Sequence, residues 1–211
     1  MFSQPASRKL HCPSAIPPGD VTMNHHSDLP ADASPPVWRN IVEAVENGTI
    51  DDVKYFVEQG TDVNEYIDSE TPLYVAASRN NFEMVKYLIE RGADVNAKID
   101  GMWSPLYEAV SNDNLEMVTY LVEKGADVNA YDCCIGTPIS GAIGPGATGA
   151  NCFKIVKYLI EHGAWVDWEL CHGGTPLGAA KRAGNLEILN LIESNIEKER
   201  ILREMNGKTR E

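Results

Sequence analysis

The sequence lacks any apolar run close to the 18 or so residues that a membrane-spanning helix needs, which predicts that no segment crosses a membrane. Positive charge is also scarce, because 18 Lys and Arg stand against 31 Asp and Glu for a formal net charge of −13. Nucleic-acid binding depends on clustered basic residues against phosphates, so this balance argues against a nucleic-acid partner. The acidity indicates a well-solvated surface or, in the sharper interpretation, a basic protein partner.

Cysteine is sparse and odd in number. The five cysteines are Cys12, Cys133, Cys134, Cys152 and Cys171, and their spacing does not match a disulfide scaffold. This favours a reducing compartment, so we expect a cytoplasmic protein, or one in the host-cell cytosol if it is a secreted effector.

The amino-terminal segment has a composition of its own. Residues 1–37 hold seven of the twelve prolines and show no apolar period, which predicts a disordered, proline-rich leader. Met23 is an alternative start to Met1, because initiation there would leave a short natural leader before the periodic sequence.

The rest of the sequence repeats itself. A turn-forming segment recurs as GTDVNE from Gly60, GADVNA from Gly92 and Gly125, and GAWVDW from Gly163, at spacings of 32, 33 and 38 residues. A second segment recurs at spacings of 33, 33 and 38 residues, as TPLYVAA, SPLYEAV, TPISGAI and TPLGAAK. Two independent marks with one period predict a stack of similar supersecondary units.

The residue types of the repeat predict its local structure. Thr or Ser before Pro indicates the start of a first helix, because the hydroxyl accepts from a backbone N–H and Pro fits the first helical position. A column of small residues where helices approach closely follows, at Ala44, Ala76, Ala109, Ala142 and Ala180. A second helix then carries an apolar stripe, as at Val85, Leu88 and Ile89, and ends at the glycine.

This pattern resembles the ankyrin repeat, whose signature Thr-Pro-Leu-His-x-Ala is similar to TPLYVAA from Thr71. The resemblance implies an all-α fold, an ankyrin-repeat solenoid of about five helix-turn-helix units with β-hairpin loops. The units span about 38–67, 68–99, 100–131, 132–168 and 169–196. The first and last are irregular and are expected to be caps, and residues 197–211 form a charged helical extension that covers the last unit.

The sequence departs from the ankyrin signature in one column. Where the family has histidine, this chain has Tyr74, Tyr107, Ser140 and Gly178, so the hydrogen-bond bridge that the histidine usually makes is absent.

Two segments mimic other kinds of site. Gly144, Gly146 and Gly149 match G-x-G-x-x-G, but that nucleotide-binding fingerprint follows a strand, whereas here it lies between the two helices of one unit. We interpret this segment as an insertion of five residues, which also explains the spacing of 38.

The second mimic is a possible set of zinc ligands, Cys133, Cys134, Cys171 and His172. Equivalent positions on stacked units should lie about 8 to 10 Å apart, while zinc needs its donor atoms within about 2.0 to 2.3 Å of one point. We therefore predict neither a metal nor a cofactor.

Candidate binding residues come from the loops and the first helices. The loops after each Asn are unusually apolar and hold Ile99, Met102, Trp103, Tyr131, Ile135, Trp168 and Leu170. Ile99 and Ile135 are equally well explained as buried under the neighbouring hairpin. Trp103, Tyr131 and Trp168 are the preferred anchors, because Trp and Tyr dominate protein interfaces, and Met102 and Leu170 lie beside them. A polar ring on the first helices would consist of Arg79, Glu108, Ser111 and Asn112.

The resemblance implies recognition rather than chemistry. We expect a monomeric, non-catalytic module that binds a protein partner on a concave surface of hairpins and first helices. Two alternatives remain open: an inhibitor or regulator of a partner enzyme or toxin, and a cryptic enzyme with chemistry in its loops. Asn96 and Asn129 also resemble the hairpin asparagines that are hydroxylated in other ankyrin proteins.

Overall fold

The computed structural model describes residues 37–97, 104–131, 136–144, 149–167 and 174–208. These residues form ten α-helices, and an isolated antiparallel bridge joins Ile67 and Glu70. The helices are α1 (Ile41–Asn47), α2 (Ile50–Glu58), α3 (Pro72–Ser78), α4 (Phe82–Glu90), α5 (Pro105–Ser111), α6 (Leu115–Glu123), α7 (Pro138–Ile143), α8 (Cys152–Glu161), α9 (Pro176–Ala183) and α10 (Leu186–Lys208). Odd-numbered helices are the first helices of units 1 to 5, and even-numbered helices are the second.

The first helices of units 2 to 5 start at the predicted Thr-Pro or Ser-Pro segments. The Thr71 hydroxyl oxygen accepts from the backbone N–H of Tyr74 at 3.3 Å, and the Ser104 hydroxyl oxygen accepts from that of Tyr107 at 3.1 Å. Proline follows at the first helical position, where its missing N–H leaves no bond unmade. These caps fix where each first helix begins.

Second helices end at the predicted glycines. Gly92 has a φ of +93°, in the left-handed region that glycine adopts without strain. Its N–H donates to the carbonyl of Ile89 at 3.0 Å, and the next N–H, of Ala93, donates to Leu88 at 3.0 Å. This pair of bonds is the Schellman motif, which closes the helix and turns the chain into the loop.

The core runs between neighbouring units. Each residue of the alanine column is at most 3% exposed: Ala44, Ala76, Ala109, Ala142 and Ala180. The small column lets successive first helices pack directly on one another, in the order α1, α3, α5, α7 and α9. The second helices bury their apolar stripes against this layer. The predicted all-α stack of helix pairs is confirmed.

The loop of unit 1 is a tight hairpin. Ile67 and Glu70 exchange two backbone hydrogen bonds of 3.0 and 2.9 Å around Asp68 and Ser69, whose φ angles of 50° and 70° are both positive. Two central residues with positive φ define the turn that matches the twist of paired strands. The corresponding loop segments 98–103, 132–135 and 168–173 lie outside the described residues.

The last helix is longer than the other nine described helices. α10 runs unbroken over 23 residues, so the predicted division between unit 5 and a charged extension, at residue 197, falls inside it. Ile188 and Ile192 are buried in the stack, whereas Ile201, Leu202 and Met205 are exposed. Among the residues that the structure describes, none of the helices combines the length and apolar character needed to cross a membrane.

Candidate functional site

The structure covers only part of the predicted site. Of the candidate loop residues, Tyr131 is described, and it is partly buried at the end of the unit 3 loop. The others lie outside the described residues: Ile99, Met102, Trp103, Ile135, Trp168 and Leu170. The described part of the candidate site therefore consists mainly of residues on or next to the first helices.

Arg79 lies at the carboxyl end of α3 and forms an ion pair with Glu46 of α1. Both side chains are partly exposed, and the pair joins unit 1 to unit 2. An exposed pair of this kind adds little stability, but it places the two side chains beside each other on the surface.

Glu108 lies on α5 and accepts a hydrogen bond from the hydroxyl of Tyr74 on α3, at 3.3 Å. Burial raises the pKa of the Glu108 carboxyl, and the Tyr74 bond opposes that rise. Burial, followed by the negative charge of Glu108, raises the pKa of Tyr74 to about 12. The phenol is therefore protonated at neutral pH and is the donor in this bond.

Asn112 follows α5 and connects it to the helix before it. Its side-chain N–H group donates to the carbonyl oxygen of Ala77 at 3.1 Å and lies 3.4 Å from that of Ser78. These carbonyls end α3, where backbone acceptors have no partner within the helix. Ser111 is exposed beside Asn112, and its hydroxyl is bonded to Tyr107.

The four predicted polar residues thus share one side of the first helices. We call the solvent-facing side marked by Glu46, Arg79, Glu108, Ser111 and Asn112 the first-helix surface. The sequence predicts that Arg79, Glu108, Ser111 and Asn112 form a polar ring. In the structure, three of them, Arg79, Glu108 and Asn112, each bond to a neighbouring unit. The surface is consequently held in place before any partner arrives.

Two tyrosines of this surface were missed as site residues. Tyr74 and Tyr107 occupy the column of the absent histidine, and the sequence treated them only as a departure from the pattern. Tyr74 bonds to Glu108, and the Tyr107 ring lies so close to Gly141 that a Cβ there would approach it to 3.1 Å. The lost bridge is therefore replaced by other contacts between units.

Two exposed aromatic side chains were also missed. Tyr66 lies in the unit 1 loop and is 46% exposed, and Trp165 lies in the turn after α8 and is 45% exposed. Both add apolar surface to the turns and loops on which the predicted anchors lie. The sequence does indicate Trp165 as unusual, because in GAWVDW a tryptophan stands where the other turns have Asp.

A shallow cavity of about 860 Å³ opens on the other side, between α4 and α6. Two hydrogen bonds between its lining residues connect neighbouring units. The side-chain N–H of Asn114 donates to the side-chain oxygen of Asn80 at 2.7 Å, and the Asn151 backbone N–H donates to the Asp113 carboxylate at 3.0 Å. These bonds join three successive units, which indicates a role in stacking.

The two segments that mimic other kinds of site lie partly outside the described residues. The glycine-rich segment lies between α7 and α8, as expected for an insertion, although Gly146 lies outside the described residues. The four residues that mimic a zinc site, Cys133, Cys134, Cys171 and His172, also lie outside the described residues. In the described part of the chain, no three His, Cys, Asp or Glu side chains are grouped to hold a metal ion.

Part of this chain matches a known protein family. Residues 41–132 match the family model described as ankyrin repeats (3 copies). Residues 41–132 are therefore ankyrin repeats, and they hold the helix pairs of units 1 to 3. Ankyrin repeats are generally protein–protein interaction modules and are typically non-catalytic. No curated protein matches this sequence significantly.

Proposed function

We propose that this protein is a non-catalytic interaction module that binds a protein partner through its first-helix surface and the adjoining loops. It acts as a monomer in the cytoplasm. The loop residues that take part are Met102, Trp103, Tyr131, Trp168 and Leu170, as the sequence indicates.

One observation carries the proposal. The side chains of the first-helix surface are fixed by bonds that run from unit to unit, Arg79 to Glu46, Glu108 to Tyr74, and Asn112 to Ala77. A surface that is ordered in advance loses little conformational entropy on binding, so more of the contact energy is available as affinity. An exposed, pre-ordered polar surface beside aromatic loops has the composition of a protein interface, with aromatic anchors and a polar rim.

Site-specific photocrosslinking tests this assignment. A photoreactive amino acid is placed at Ser111 on the first-helix surface or, as the matched control, at Lys157, which is exposed on the second helix α8. We expect a defined protein adduct in cells from position 111 and none from position 157. An adduct from position 157 alone would place the interface on the other side.

A regulatory role would use the same surface. It is distinguished by assaying the crosslinked partner, because an inhibitor abolishes the activity of an enzyme or toxin partner, whereas an adaptor leaves it intact. Turnover of a substrate by the isolated chain would instead favour the cryptic enzyme.

A further inference from the structure

Among the described residues, no Lys, Arg or His forms an ion pair with the Glu108 carboxylate. Glu108 accepts a hydrogen bond of 3.3 Å from the Tyr74 hydroxyl. Burial raises the pKa of the Glu108 carboxyl, and no described Lys, Arg or His lowers it. Glu46 on the same surface differs, since it is paired with Arg79.

The units on either side of Glu108 carry no charge at the equivalent position, whereas unit 1 carries Glu43 there. The equivalent positions in units 2, 4 and 5 hold Val75, Gly141 and Ala179, none of which carries charge. The Tyr74 hydroxyl reaches Glu108 from unit 2, and the Tyr107 ring extends over Gly141 in unit 4. Glu108 therefore has the Tyr74 hydroxyl on its unit 2 side and, at the equivalent position of unit 4, a glycine without a side chain.

This arrangement suits a cationic side chain. An ammonium or guanidinium group forms short, strong hydrogen bonds with a carboxylate and is attracted to the faces of tyrosine rings. Glu108 is already partly dehydrated in the free protein, so part of the desolvation that normally opposes such a pair has occurred before binding. The formal net charge of −13 adds long-range attraction for a basic partner.

We propose that Glu108 anchors one basic side chain, Arg or Lys, of the protein partner, with Tyr74 and Tyr107 flanking it. This inference rests on the proposed function and adds the chemistry of the contact. The basic residue enters from the first-helix surface and forms an ion pair with the oxygen that Tyr74 does not bond.

Selection from a displayed library of random peptides tests the anchor on the full chain. The wild type is compared with Glu108→Gln, which keeps the shape and an acceptor for Tyr74, and with Glu90→Gln, an exposed glutamate on α4. We expect the wild type and Glu90→Gln to enrich peptides with one fixed basic position. Glu108→Gln should lose that preference and bind the wild-type peptide about tenfold more weakly or worse.

A second measurement does not depend on a folded variant. In the wild type, carbon-13 NMR follows the titration of the Glu108 carboxyl with and without the selected peptide, and we expect the peptide to lower its pKa. An unchanged titration, or an unchanged basic preference in Glu108→Gln, overturns the inference. Enrichment of peptides without a basic residue overturns the anchor but leaves the proposed function standing, whereas no enrichment counts against both.

Discussion

The side chain of Asn96 joins unit 2 to Gly125 of unit 3. Its N–H group donates to the Gly125 carbonyl oxygen at 3.0 Å, and its oxygen accepts from the backbone N–H of Asp127 at 2.8 Å. Asn64 and Asn129 make the same two contacts one unit before and after. A row of asparagines therefore connects the turns of units 1 to 4 and fixes their spacing.

Replacing Asn96 with Ala should destabilise the stack by about 1 to 2 kcal/mol, because two inter-unit hydrogen bonds are lost while water still reaches the exposed turn. Denaturant unfolding followed by circular dichroism measures the change. The control is Asn47→Ala, whose exposed amide bonds to the neighbouring Glu46 side chain. Equal shifts of both midpoints would contradict a special role for the asparagine row.

Ala109→Leu should destabilise the protein by about 1 to 3 kcal/mol. Ala109 is 0% exposed between first helices, and a larger side chain there would push neighbouring units apart. Ala183→Leu is the control, since Ala183 is exposed at the end of α9 and its change should have little effect. An unchanged midpoint in Ala109→Leu would show that the alanine column is not a packing requirement.

Glu108→Gln should change how stability depends on pH. Because burial raises the folded-state pKa of Glu108, its protonated form is favoured by folding, and that contribution is lost as pH rises through the raised pKa. The variant should therefore gain stability relative to the wild type as pH rises from the ordinary glutamate pKa through the raised pKa of Glu108. Unfolding midpoints across this range measure the difference. A gap that stays constant or closes with rising pH would contradict the burial of this charge.

Gly149→Ala tests how the insertion of unit 4 docks. A Cβ at Gly149 would overlap the carboxylate of Asp113, which accepts from the Asn151 N–H at 3.0 Å. We expect a loss of about 1 to 3 kcal/mol as this contact is displaced. Gly144→Ala is the matched control, because the nearest atom to its Cβ, the Ser140 carbonyl oxygen, is at an ordinary 3.5 Å. Similar midpoints for the two variants would show that the insertion is not held by Asp113.

The local structure could be predicted because each feature lies within a few residues. Thr71 caps a helix through a residue three positions later, and Gly92 ends one through its own backbone conformation. The period then places these features in register, so the stack follows from the same segments.

The contacts between units could not be predicted in the same way. Tyr74 and Glu108 are 34 residues apart, one more than the repeat, so their contact depends on how α3 and α5 are rotated against each other. The neighbouring units also lack this glutamate, since Val75 and Gly141 take its place there. A periodic pattern reports what the units share and is silent about such differences, which are the features that define a specific site.

The affinity of the isolated partner, once identified by crosslinking, tests the central claim most directly. We predict that Trp103→Ala and Tyr131→Ala each weaken binding by about 2 kcal/mol or more, roughly thirtyfold, while thermal stability stays nearly unchanged. Lys157→Ala, on the second-helix side, should bind like the wild type. Full affinity in both aromatic variants, or unfolding of both, would contradict a binding surface formed by the loops and first helices.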